Sequence, residues 1–201
     1  MTSVPAERDQ PFRLARLLLL LTAADEAHPE GLDIERLGCY VFLAGDPLLV
    51  AREDSDPDRL GLLMAGFDER ALSYASPAQR YVTSLRQLPG DVARLVGFGL
   101  VECVVAGRIR YRLTDRGRVL AGQFTAMYAH SYAGAARVVV GRLRRLSGSK
   151  LRENMRMWLR VKAGTRRGRL DPADVIDLDP YPGATAPTRT AWRTGFPEDD
   201  T

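Results

Sequence analysis

Leu95–Ala121 reads LVGFGLVECVVAGRIRYRLTDRGRVLA, and its succession of helix, hairpin and helix decides the fold. A helical turn ends at Gly97 or Gly99, and Leu100–Val105 is an apolar strand. Ala106-Gly107 forms a tight turn of the kind glycine permits. Arg108–Leu113 (RIRYRL) alternates basic and apolar residues, the period-2 pattern of a half-buried strand. Thr114 then stands as an N-cap, with Asp115 in the first turn where the helix dipole favours negative charge. This order predicts a mainly α protein with a small β-hairpin: a winged helix-turn-helix domain with a basic second wing strand.

Upstream, Pro11 is placed to start a helix, and Phe12–Ala24 has the apolar density of one buried nearly all round. Arg13 and Arg16 before Leu17–Leu21 imitate a signal-peptide core. Glu7 and Asp9 spoil the positive region, however, and the run is too short to span a bilayer, so a buried first helix is expected. Asp33 caps a helix over Ile34–Leu43 that Asp46-Pro47 stops, and a further helix covers Asp58–Phe67. Ser76-Pro77 opens a helix over Ala78–Leu88, Pro89-Gly90 breaks it, and Asp91 recaps a short turn through Leu95.

Downstream of the hairpin, Leu120, Phe124, Met127, Tyr132, Val139, Leu143 and Leu146 keep a period near 3.6, and Gly134 and Gly141 are candidate bends. Past Ser147-Gly148-Ser149, Leu151, Met155, Trp158 and Leu159 fall on one helix face. The expected organisation is a leader over 1–10, a winged-helix domain over 11–121, a helical extension over 122–162 and an irregular tail over 163–201. Trp192 and Phe196 could pin that tail.

Apolar residues make up 45% of the 201-residue chain and charged residues 27%, enough for a real core. The net charge is +4, unevenly spread. Residues 1–104 hold 10 Arg and 16 acids, net −6; residues 105–170 hold 17 Lys/Arg and 2 acids, net +15; residues 171–201 hold 2 Arg and 7 acids, net −5. An acidic body joined to a strongly basic segment points to a polyanionic partner or an acidic protein face.

Catalytic motifs are absent: no G-x-S-x-G, no phosphate-binding glycine loop, no H-E-x-x-H, and two histidines in all. Cys39 and Cys103 are far apart without CxxC spacing, so buried small apolar groups in a reducing cytoplasm are expected. His28 and His130 lack companions for a metal or catalytic role, and no cofactor is implied. Asp54, Asp56 and Asp58 alternate as in a calcium loop, but the required glycine and glutamate are missing, and a solvated loop is the expectation.

The positive features are arginines. Arg108, Arg110 and Arg112 share one face of a strand, and Arg116 and Arg118 follow at the head of the next helix. Arg145, Arg152, Arg156 and Arg160 form a second row. Guanidinium suits phosphate bidentately, and every neutralised phosphate releases counterions. Such a set grips a double-stranded DNA backbone, meets acidic residues of a partner protein, or is a solvated face. For reading bases, helix Ala78–Gln87 offers Gln79, Arg80, Thr83 and Gln87, and the turn after it only Asp91 and Arg94, so operator recognition ranks behind backbone contact.

Taken together, FRLARLLLLLTAA, LDIERLGCYVFLAGDPLLV, SPAQRYVTSLRQLPGDVARLVGFGLVE and RLTDRGRVLA resemble the small middle components of bacterial three-component ABC-ATPase systems, over about residues 12–160. The resemblance implies a non-enzymatic winged-helix adaptor beside an SMC-like ABC ATPase and a third, effector-bearing component. It would bridge ATPase and DNA in phage or plasmid defence, in the cytoplasm and away from membranes, with the long helix after the wing packing on a second copy or on the partner. The other reading is a dimeric winged-helix transcriptional regulator.

Overall fold

The computed structural model describes residues 9–68 and 76–160, with backbone alone at Ala106. The tail over 163–201 and most of the leader over 1–10 lie outside the described residues. Helices dominate, and the one sheet among the described residues is a two-stranded antiparallel ribbon.

Helix α1 (Gln10–Ala24) carries Pro11 in its first turn and buries Leu17 through Leu21 without a gap, as expected for a central helix. Gly31 (φ +85°) follows, and a Cβ there would lie 2.8 Å from the Tyr111 carbonyl oxygen, so only glycine fits. That approach lets Leu32 and Tyr111 exchange two backbone hydrogen bonds, at 3.0 and 2.8 Å. Asp33 caps α2 (Ile34–Gly45), accepting from the Arg36 amide at 2.8 Å. Helix α3 (Pro57–Met64) is shorter than the periodicity predicts. Helix α4 (Pro77–Gly97) opens with a reciprocal capping box between Ser76 and Gln79.

Helix α4 does not break at Pro89-Gly90. Proline removes one backbone donor and crowds the preceding turn. Here Leu88, Val92 and Leu95 are buried around it, and burial of that stripe outweighs the local penalty. Asp91 is no cap. Its carboxylate is buried and takes the Arg13 guanidinium at 2.7 and 3.0 Å, tying α4 to α1.

Strands β1 (Val101–Ala106) and β2 (Arg108–Leu113) pair from Val101↔Leu113 to Ala106↔Arg108, with Gly107 at the tip. Val101 and Leu113 are buried at the base, whereas Val105 (77%) and Ile109 (53%) stand exposed near the tip. Cys103 is exposed rather than buried, because the ribbon leaves the core at that level. Thr114 caps α5 (Asp115–Gly122) as predicted, accepting from the Gly117 amide at 3.1 Å.

The long helical pattern after the hairpin divides at 123–126, not at Gly134 or Gly141. Turn hydrogen bonds from Gln123 and Phe124 end α5, and half-buried Phe124 docks against the core. Helix α6 (Met127–Leu143) then packs on α1 and α2 of its own chain. Arg36 donates to the Leu143 and Leu146 carbonyls, tying α2 to the end of α6 and the turn that follows it. In α7 (Gly148–Arg160), Leu151, Met155, Trp158 and Leu159 are buried as the spacing predicts. One hydrophobic cluster joins residues of α1, α2, α4, the hairpin, α6 and α7. Among the described residues no helix is long and apolar enough to cross a membrane.

Candidate nucleic-acid or partner interface

Strand register puts Arg108, Arg110 and Arg112 on one face of β2, since alternate residues point the same way. Arg108 is exposed without an ion-pair partner among the described residues. Arg110 lies 3.1 Å from Glu30, and Arg112 donates to its cross-strand neighbour Glu102 at 2.6 Å. In α5, Arg116 is exposed and has no ion-pair partner among the described residues, while Arg118 reaches Asp25 and Asp115, each at 2.7 Å. Its hydrogen bonds to the Asp25 carboxylate hold the Arg118 guanidinium more firmly protonated.

The second row spans a helix boundary. Arg145 is exposed before α7 begins, and Arg152 donates to Glu35 at 2.7 Å, which raises its pKa. Arg156 is half-buried and Arg160 exposed on α7. Three of the pairs that join the acidic body of the sequence to its basic segment fall in one stretch of the chain. Asp25, Glu30 and Glu35, between the end of α1 and the start of α2, give one carboxylate each to Arg118, Arg110 and Arg152. These pairs are half-exposed, so solvent screens them and each contributes little to stability.

Helix α4 offers less to base edges than its sequence promises. Arg80 is held by Asp46 at 2.8 and 2.9 Å. The Gln79 side chain is used in the capping box, and the Thr83 hydroxyl donates to the Gln79 carbonyl at 2.9 Å.

The aspartate loop is more than a solvated one. Asp56 caps α3, and Asp56 and Asp58 both take the guanidinium of Arg142 on α6, with Asp56 Oδ2 at 2.6 Å. Arg142 therefore straps α3 to α6, and its hydrogen bond keeps the Asp56 carboxyl below its ordinary range. The Cys39 thiol, beside the Tyr81 hydroxyl at 3.3 Å, is pushed up to about 12 by burial and stays protonated. His28 is buried 3.4 Å from the Tyr40 hydroxyl, and burial lowers its pKa. Among the described residues no three His, Cys, Asp or Glu side chains are grouped to hold a metal ion.

Sequence reasoning missed Arg137 and Arg144, both exposed and without a carboxylate partner among the described residues. The signal was present: between Asp115 and Glu153 the chain contains no acidic residue.

Comparison of the chain with protein-family models, with curated proteins and with solved structures gave no match.

Proposed function

We propose that this chain is a non-enzymatic winged-helix accessory subunit, the middle component of a bacterial three-component system built on an SMC-like ABC ATPase. It links that ATPase to duplex DNA, with a third component as effector, in cytoplasmic defence against phage or plasmids. One observation carries the fold half of this reading. The backbone pairing of Leu32 with Tyr111 adds a third, one-residue strand position to the hairpin. The order α1, Leu32, α2, α3, α4, β1, β2 contains, with α3 inserted between α2 and α4, a helix–strand–helix–helix–wing succession of the winged-helix kind. The ATPase partner and the defence setting rest on the sequence resemblance. Arg108 and Arg116, on and beside the wing and without an ion-pair partner among the described residues, would supply cations for phosphate.

The regulator reading has less support. A regulator needs side chains aimed at base edges, and three of the four candidates on α4 are engaged within the molecule. Helix α6 buries its apolar face on α1 and α2, so it does not offer that face to a second copy.

The test joins two measurements. Tagged chain expressed with its genomic neighbours should co-purify with a large coiled-coil ATPase. The purified protein should shift random-sequence duplex DNA with a steep salt dependence, and Arg108→Glu/Arg110→Glu/Arg112→Glu should reduce that shift by about tenfold or more at 0.1 M salt. A protected palindrome and no ATPase would favour the regulator. Unchanged retention in the triple variant would remove the wing from the DNA contact.

A further inference from the structure

We infer that the outer face of α6 is a second contact surface for a nucleic-acid phosphate backbone, formed by Arg137, Arg144 and Arg145 around an open floor at Gly134 and Gly141. The inference rests on the reading that this chain touches nucleic acid, and extends it to a surface the hairpin does not include.

The inner face of α6 fixes the outer one. Tyr132, Ala135, Ala136, Val139, Val140 and Leu143 are buried, so the helix cannot roll, and what lies opposite is held to solvent. Along that side half-buried Gly134 and exposed Arg137, Gly141 and Arg144 succeed one another at steps of three, four and three, which is one stripe of an α-helix. Arg145 continues it just past the helix end. All three arginines are exposed, and none has a hydrogen-bond or ion-pair partner among the described residues.

Arg142 shows the contrast between the two sides of the helix. Arg142 leaves the same helix toward α3 and receives two carboxylates, Asp56 and Asp58. The acid-free stretch between Asp115 and Glu153 supplies none for the outer stripe. Two turns separate Arg137 from Arg144, roughly 10 Å along the axis, a spacing that spans successive phosphates of a strand rather than one small anion.

The glycines make room. A Cβ built at Gly134 or Gly141 would meet nothing within 4 Å, so packing does not exclude a side chain at either position. Glycine is a poor residue inside a helix, and its presence at two positions of the charged stripe lets a sugar-phosphate chain approach the helix backbone. Nucleic acid fits better than a protein partner. Between Tyr128 and Met157 no large apolar side chain is exposed, and a protein interface needs an apolar centre.

Fluorescence anisotropy of a labelled random-sequence 20-base-pair duplex, run across salt, tests this with the full chain. Arg137→Gln/Arg144→Gln/Arg145→Gln should bind about tenfold more weakly at 0.1 M salt, and its log K against log salt slope should fall by about 2.7, three phosphate contacts' worth. Gly141→Glu, a single carboxylate in the stripe, should weaken binding in the same direction. Circular dichroism should match the parent in both variants, and thermal melting should match it in the triple variant and lie no lower in Gly141→Glu, because every altered residue is exposed and glutamate is the better helix former. If the parent binds and the triple variant keeps its affinity and slope, this surface is refuted while the wing reading stands. If the parent binds no duplex, both fall together. Binding of a polyglutamate peptide, lost in the triple variant with no duplex binding by the parent, would give the face to an acidic protein and overturn the inference.

Discussion

The hairpin and helix α6 both carry arginines at regular spacing, and they dispose of the charge in opposite ways. On β2, Arg110 and Arg112 each face a carboxylate of the same molecule, and only Arg108 at the turn is left over. On α6, one arginine collects two carboxylates as a strap to α3, and the outward pair collects none among the described residues. A cation near a packed edge is recruited to join elements, whereas one on an outer face stays uncompensated. A net charge of +15 over residues 105–170 therefore overstates what the hairpin can offer a polyanion and hides what α6 can.

The comparison breaks most severely at the base of the hairpin. A Cβ at Gly117 would sit 2.1 Å from the Leu100 carbonyl oxygen and 3.0 Å from the Leu113 side chain. Backbone on one side and a buried leucine on the other leave no route to relax. Gly117→Ala should lower the unfolding free energy by about 3 kcal/mol in urea titration, the size of a severe overpacking defect. A change under about 0.5 kcal/mol would mean that the hairpin is not seated on α5, and that its charge pattern is not fixed by the core.

The α3–α6 strap gives a smaller effect with a definite pH signature. Asp56 has its carboxyl pKa lowered from an ordinary value of 3.8, chiefly by the hydrogen bond from Arg142. A group whose folded pKa is depressed contributes stability above its unfolded pKa and loses it as pH falls through the folded one. Asp56→Asn should therefore lower Tm at neutral pH, with the gap to the parent closing below about pH 4. A gap that stays constant from pH 7 to about pH 2.5 would show that Arg142 is not bound through the ionised carboxylate.

What the sequence disclosed, and what it hid, follows the same division between local and distant physics. Caps at Asp33, Ser76 and Thr114 and the apolar stripe of α7 were legible, because each depends on residues within one or two helical turns. Pro89 misled. Its local penalty is real, but the buried pair of Asp91 with Arg13 lies 78 residues apart in the chain, beyond any window of pattern. The aspartate loop misled for the same reason, since Arg142 is 86 residues from Asp56. Period alone also could not divide α5 from α6: the apolar residues keep phase across the gap, and only the docking of Phe124 turns the chain. For the interface, the arginines themselves were visible and their availability was not. Pairing at Asp25, Glu30 and Glu35 is a property of the fold.

The smallest expected effect sharpens the comparison most, because it asks whether the hairpin's charges are restrained by their own carboxylates. Glu30 and Glu102 are about half-exposed and face Arg110 and Arg112, with Glu30 also 3.9 Å from the His28 ring. Replacing both with glutamine removes two negative charges from the ribbon face and frees two guanidinium groups. Exposed pairs of this kind are worth about 0.2–1 kcal/mol each, so stability should move by less than about 1 kcal/mol. Duplex affinity should rise by about threefold to tenfold, because each freed guanidinium no longer gives up an internal partner to reach a phosphate. The salt slope should steepen by up to about 1.8, two added phosphate contacts. The same pair of changes in the Arg137→Gln/Arg144→Gln/Arg145→Gln background should give the same increment, since the two surfaces share no partner. An unchanged affinity in Glu30→Gln/Glu102→Gln would mean that Arg110 serves only to hold the hairpin against the α1–α2 connector and Arg112 only to tie its two strands together, leaving Arg108 as the one cation of that strand face open to a polyanion.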